Sequence, residues 1–233
     1  MRLFFTISIF TILPILTVLL CIPAMASEQK NIAFIKAFER IEKINSARPG
    51  QSARHKQSTK VLTRRILDKT NRVVGKVNDV ILDRNGSISS LNVNFDRLRL
   101  GTDTLVVNYH DLGMQTVSNG YKTKYTDDQI KDMVPDLLAG IQTASGKNAS
   151  QYSLKKLIGQ KITMQNGQAV GKIQDILFDS KGSRAEFLFV NVNYQSLRGE
   201  RVAIPFTAAN YSNNKIIVSD DFANAMIEYI KEN

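Results

Sequence analysis

Residues 74–87 read VGKVNDVILDRNGS, and residues 170–183 read VGKIQDILFDSKGS. Gly75, Lys76, Asp79, Asp83, Gly86 and Ser87 recur as Gly171, Lys172, Asp175, Asp179, Gly182 and Ser183 at a constant spacing of 96. Downstream, NVNF at 92–95 matches NVNY at 191–194 at a spacing of 99, which implies a three-residue insertion in the second copy. Leu98 and Arg99 then answer Leu197 and Arg198, and Asp127, Asp128 and Met133 answer Asp220, Asp221 and Met226. Matched blocks in the same order at a near-fixed period identify a duplicated unit.

Each copy reads as short strands joined by tight turns. Val74, Val77, Val80 and Leu82 stand among polar neighbours, and Gly75 allows a bend or a close approach. Asn85 and Gly86 both tolerate positive φ and predict a hairpin turn. The returning strand spans 88–95, with further strands at 105–109 and 120–125. The second copy repeats the pattern at 161–164, 169–179, 186–194, 202–206 and 215–218, with Pro205 suited to a strand end. Each copy closes with a helix. Thr126 and Gln129 form a capping-box pattern, Pro135 is expected to interrupt that helix with a restart at 136–143, and Ser219 caps 220–231. The fold class is therefore mainly β with short helices, two tandem small β-barrels each followed by a helix.

The N-terminus is an address. Arg2, a long apolar run and the small residues Ala24 and Ala26 around Met25 predict a signal peptide over 1–26, cut after Ala26. Left uncut, the run is long enough to act as a membrane anchor. Cys21 is the sole cysteine, and Leu20 before it does not fit a lipid-modified cysteine. Cleavage would leave a chain with no disulfide option. Residues 27–44 carry an amphipathic helix, with Phe34, Ala37, Phe38, Ile41 and Ile44 at helical spacing. Residues 45–60 read as a basic flexible linker, 61–144 as the first barrel, 145–153 as a second linker and 154–233 as the second barrel.

The net charge of +10 sits unevenly along this plan. Residues 27–60 hold eight Lys or Arg against three Glu, while 61–150 and 151–233 are each at +2. The excess belongs to the helix and linker, and 27–60 is a candidate for an anionic membrane surface.

The second copy resembles the PRC-barrel domain, the β-barrel of the reaction-centre H subunit. The resemblance rests on Leu157, Ile158 and Gly159, a Gly167 turn, Val170 to Lys172 with Ile173 and Asp175, Asp179 with Gly182, and Val202, Ile204, Pro205 and Phe206. The first copy departs from the pattern, with Val61, Leu62 and Thr63 at its opening and Val107, Asn108 and Tyr109 where the proline motif falls. The resemblance implies the fold and a docking role, and it carries over no catalytic residue. Its motif residues here are Gly75, Asp79, Asp83, Gly86, Gly159, Gly171, Asp175, Asp179, Gly182 and Pro205.

Other chemistries fit these residues less well. Asp79, Asp83 and Asn85 have calcium-type oxygens, but Lys181 replaces Asn85 in the second copy. Asp175 and Asp179 form a carboxylate pair, yet hairpin charges do the same. His55 and His110 are the only histidines, and no nucleophile stands beside either. Val-Gly-Lys is too short for a phosphate loop. Tyr121, Tyr125, Tyr152, Tyr194 and Tyr211 suit barrel packing better than base stacking, and an export signal speaks against nucleic acid.

The reading is an exported, periplasmic or secreted docking module for a protein or envelope component, with no cofactor and no metal. A peripheral membrane protein held by 27–60 is the alternative, and an enzyme on a small envelope substrate is a third reading. The two barrels are expected to pair as an intramolecular pseudo-dimer or to self-associate.

Overall fold

The computed structural model describes residues 55–95, 104–144, 151–193, 199–212, 215–220, 222–224 and 228. The signal peptide, the helix over 27–44, residues 45–54 of the first linker and the Leu98–Arg99 and Leu197–Arg198 matches lie outside them.

The first unit runs β1 (Lys56–Gln57), α1 (Ser58–Leu62), β2 (Arg65–Leu67), β3 (Val73–Leu82), β4 (Ile88–Asn94), β5 (Leu105–Asn108), β6 (Gln115–Val117), β7 (Gly120–Lys122) and α2 (Asp127–Ala144). The second runs β8 (Tyr152–Ser153), α3 (Leu154–Leu157), β9 (Lys161–Met164), β10 (Ala169–Phe178), β11 (Ala185–Val192), β12 (Arg201–Pro205), β13 (Ala209–Ser212) and β14 (Lys215–Val218). Their sheets have the same order, β5-β4-β3-β2-β7-β6 and β12-β11-β10-β9-β14-β13. In each, neighbours are antiparallel except for one parallel pair, β2 with β7 and β9 with β14. Among the described residues no strand pairing joins β5 to β6 or β12 to β13, so each unit is a curled half-barrel rather than a closed barrel.

Each half-barrel turns around one ten-residue strand. In β3, Val74, Val77, Val80 and Leu82 are buried while Lys76 and Asn78 are exposed. The alternation slips because a bulge separates Val77 from Asp79, and β10 has the same bulge between Ile173 and Asp175. A bulge bends a strand and adds twist, which lets one strand serve two parts of a curled sheet. The buried side chains of both units form one continuous core, which includes Ile66, Leu82, Leu91, Tyr121, Leu154, Phe178, Leu188 and Phe206. Each such aliphatic side chain contributes roughly 1.5–3 kcal/mol on leaving water.

The register corrects one reading of the repeat. Lys76 pairs with Asn94 and Lys172 with Asn191, so Asn94 corresponds to Asn191 at a spacing of 97, not Asn92 at 99. The glycines agree: a Cβ on Gly75 would meet the Asn94 carbonyl oxygen at 2.7 Å, and one on Gly171 the Asn191 carbonyl at 2.3 Å. The insertion is one residue, in the hairpin, where Asp83 N–H bonds to Ser87 O in the first copy and Asp179 N–H to Arg184 O in the second.

The linkers also differ from expectation. Lys56 and Gln57, expected within the first linker, form β1, which pairs with Phe178 and Leu177 of the second unit, and Ser58 opens α1. Tyr152 and Ser153, expected within the second linker, form β8, which pairs with Leu82 and Ile81 of the first unit. Two-residue strands carry no readable periodicity, and their partners lie in the other copy. Pro135 does not break α2, which continues from Asp127 to Ala144. A proline removes one rung of the helix ladder, and here the helix spans the loss. The predicted capping box holds: Thr126 N–H donates to Gln129 Oε1 at 3.0 Å, and Gln129 N–H to Thr126 Oγ1 at 3.3 Å. At the second closing helix, Phe222 N–H donates to Ser219 Oγ at 3.3 Å, and Asp220, Phe222, Ala223, Asn224 and Glu228 are helical.

Candidate functional site

The motif residues gather between the two half-barrels. Each unit sends its leading strand and short helix across to the long strand of the other, a reciprocal exchange of β1–α1 for β8–α3. The bulges aim Asp79 and Asp175 at these arriving segments. Asp79 Oδ1 accepts from its neighbour Val80 N–H at 2.8 Å and from Lys155 N–H at 3.1 Å, and Asp79 Oδ2 accepts from the Ser153 hydroxyl at 2.5 Å. Asp175 Oδ1 accepts from Ile176 N–H at 2.7 Å, from Ser58 N–H at 3.1 Å and from the Ser58 hydroxyl. Each carboxylate thus holds the first turn of a helix that belongs to the other unit, where free N–H groups favour negative charge.

The hairpin tips form the second part of the interface. Asp83 closes its turn by accepting from Asn85 and Ser87 N–H groups, and Asp179 does so from Ser183 N–H and hydroxyl. Gly86 (φ 81°) and Gly182 (φ 74°) occupy the left-handed region at the tips. Ala185 N–H donates to the Gly86 carbonyl at 2.8 Å, and Arg184 Nε to the Asn85 carbonyl at 3.1 Å, so the two tips are bonded to each other. Each tip then meets a socket in the opposite unit. Gly86 lies against Phe206, whose ring stacks on Tyr211 at 5.1 Å, and Tyr211 is covered by Tyr152 at 4.4 Å. Gly182 lies against Arg64, whose buried guanidinium donates to the Lys181 and Gly182 carbonyls and sits 5.0 Å above the Tyr121 ring.

Burial sets the electrostatics of these sockets. It raises the hydroxyls of Tyr121 and Tyr211 well above the ordinary tyrosine range, and in Tyr121 the nearby Arg64 opposes that rise without cancelling it. Both tyrosines are therefore neutral donors, Tyr211 to the Phe206 carbonyl at 3.1 Å. His55 leads into β1 with its Nε2 3.0 Å from Glu186 Oε2 and its ring edge-on to Phe187.

The remaining motif residues shape the strands. Gly159 (φ 85°) ends α3 and donates its N–H to the Ile173 carbonyl, and Pro205 ends β12 opposite Phe187. Of the motif residues, the structure brings Asp79, Asp83, Gly86, Asp175, Asp179 and Gly182 to the interface and leaves Gly75, Gly159, Gly171 and Pro205 within single units. All four carboxylates accept hydrogen bonds from donors of the protein itself. Among the described residues no group of three or more acidic, His or Cys side chains could hold a metal ion. Sequence reading missed Ser58, Ser153, Arg64 and the crossing arms. A partial signal was present, since Ser58-x-Lys60-x-Leu62 recurs as Ser153-x-Lys155-x-Leu157 at a spacing of 95, one residue short of the spacing of 96 that the strand pairings give the two arms.

Residues 150–224 match the PRC-barrel domain family. No curated protein matches the chain in sequence. Among solved structures, the chain is similar to one described as a 16S ribosomal RNA processing protein, RimM, from Pseudomonas aeruginosa. Identity is 15%, the match covers 62% of this chain and 96% of that one, and the TM-score is 0.25, at which no functional argument follows. The second unit thus matches the PRC-barrel domain family over residues 150–224, and the first unit has the same strand order.

Proposed function

We propose that this protein is an exported docking module whose two half-barrels act as one rigid adaptor for a protein or other component of the cell envelope. The observation that carries the reading is the use made of the motif residues. Their carboxylates and turns lock the two units together. A fold whose distinctive polar groups serve assembly suits binding through outer faces rather than chemistry in a cleft. The amino-terminal signal pattern with Ala24 and Ala26 supports export, and loss of 1–26 would leave a cysteine-free chain in an oxidising compartment.

Cell fractionation with amino-terminal sequencing of the recovered protein tests this reading. The expected result is a periplasmic or secreted chain beginning at Ser27. Recovery of an uncut chain in the cytoplasm overturns it. Affinity capture from the envelope fraction, with a control lacking 27–54 and so keeping β1 and α1, then separates docking by the half-barrels from attachment by the basic segment. Vesicle flotation that depends on 27–54 would instead support the membrane-surface reading, which the +5 charge of 27–60 favours.

A further inference from the structure

The strand register of the second unit lines up cations in a single file. Lys172 in β10 is paired with Lys161 in β9 on one side and with Asn191 in β11 on the other, and Asn191 is paired with Arg201 in β12. Lys215 and Lys161 stand one position before the Ile216–Ile162 pair of β14 and β9, which extends the file to a fifth strand. Directly paired residues project from the same face of a sheet, and all five are exposed. At about 4.8 Å per strand the file is about 19 Å long. None of its four cations makes an ion pair among the described residues, and Glu200 is the single carboxylate within one residue of any member of the file.

Like charges directly opposite on neighbouring strands destabilise a sheet. The first unit nevertheless has the same arrangement, with Arg65 of β2 opposite Lys76 of β3, both exposed. Two copies that have diverged at their opening motif both place a cation pair at this register. Among the described residues, neither cation pair is neutralised by an ion pair.

We propose that the row Lys215–Lys161–Lys172–Asn191–Arg201 is a docking surface for a linear, base-free polymer of phosphate groups, lying across the strands. Charge complementarity selects an anion, and the single-file spacing selects a chain over a point ligand. A lipid surface fits less well, because among the described residues the one large exposed apolar side chain is Val106, in the other unit. Nucleic acid fits less well too, since the described residues expose no aromatic ring on which a base could stack. The assignment deepens the docking reading by naming a partner chemistry, but its geometry holds in any compartment.

The test is binding of linear polyphosphate to the full chain, measured by calorimetry at several salt concentrations. The double variant Lys161→Glu, Lys172→Glu is compared with Lys69→Glu, Arg84→Glu, which changes the net charge equally at exposed sites of the other unit. The row variant is expected to bind about tenfold more weakly or worse, with a log–log salt slope shallower by about two, while the control stays within about twofold of the parent. Matching melting temperatures for the three proteins establish that the variants are folded. Equal losses in both variants, or no binding by the parent at low salt, overturn the proposal. Tighter row-dependent binding to single-stranded DNA or to anionic vesicles overturns the choice of partner. Fractionation that finds the protein in the cytoplasm would remove the export reading and leave this result standing.

Discussion

The Ser153 hydroxyl donates to Asp79 Oδ2 at 2.5 Å across 74 residues of chain, and Ser58 donates to Asp175 in the same way across 117. The two bonds cross between the halves in opposite directions, although Ser153 is the cap before α3 while Ser58 is the first residue of α1. Each serine is anchored on the bulge of the other unit. The long strands β3 and β10 are thereby completed by foreign segments, and neither sheet is whole without the other unit. This is the geometry of a strand-exchanged dimer written into one chain.

Removing either carboxylate should therefore weaken both units. Asp79→Ala and Asp175→Ala are each expected to cost about 1.5–3 kcal/mol, the range for a hydrogen bond to a charged group whose partners stay behind. Pairing each with Ser153→Ala or Ser58→Ala in a double-mutant cycle should give a coupling of at least about 0.5 kcal/mol. Urea unfolding monitored by circular dichroism should show one transition in the parent protein. Two resolved transitions would mean that the exchange does not unite the halves.

Glycines at positive φ separate local strain from interface strain. Gly86 and Gly167 have φ of 81° and 85°, but a Cβ at Gly86 would lie 2.3 Å from the Ala185 carbonyl oxygen while one at Gly167 meets nothing within 4 Å. Gly167→Ala should cost only the left-handed penalty of about 1–2 kcal/mol. Gly86→Ala should cost about 1–3 kcal/mol more, because the Ala185 N–H bond to Gly86 O must open to make room. Equal melting temperatures for the two variants would show that the tips are not pressed together.

Arg64, at the first unit's helix–strand junction, donates to both the Lys181 and the Gly182 carbonyls, where among the described residues the long contact of Tyr121 with Gly182 and the exposed Lys56 add only marginal bonds. Arg64→Lys keeps the charge but cannot span two carbonyls and cover the Tyr121 ring together. Hydrogen exchange read by mass spectrometry should speed up over 180–187 in that variant. It should also speed up over 84–88, because the tips are bonded through Gly86 and Ala185. Acceleration confined to one tip would break the proposed linkage.

Much of this arrangement was legible where a pattern is local. The hairpin turns, the Thr126 capping box and the long strands all rest on neighbours within a few residues. The register error arose from NVNF and NVNY, since strand alternation has a period of two and a two-residue slip keeps every side chain on its face. Only the contact of Gly75 with Asn94 and of Gly171 with Asn191 fixes the match. The crossing arms were hidden for a different reason. Lys56 and Gln57 sit at the end of a basic, Ser-rich stretch whose composition reads as linker, and their stability comes from a strand more than 100 residues away. Arg64 looked like one cation among many, because a guanidinium satisfied by backbone carbonyls leaves no acidic partner in the sequence.

Asp68 makes the acid side of stability testable. Its carboxylate is fully buried, which alone would raise its pKa, but the Thr70 hydroxyl and N–H and the Arg72 N–H and guanidinium outweigh burial and hold it below the ordinary value. Arg72 also reaches Asp127 Oδ1 at 2.7 Å, tying this turn to the start of α2. A carboxylate with a depressed native pKa contributes stability that is complete above the unfolded value, about 3.9, and is lost as pH falls through the lower native value. The stability difference between the parent and Asp68→Asn should therefore stay level from pH 7 to about pH 5 and shrink below about pH 4. Thermal unfolding of both proteins across that range measures it. A difference that grows on acidification would mean that burial wins over the hydrogen bonds, and that the Asp68 turn is held in spite of its charge.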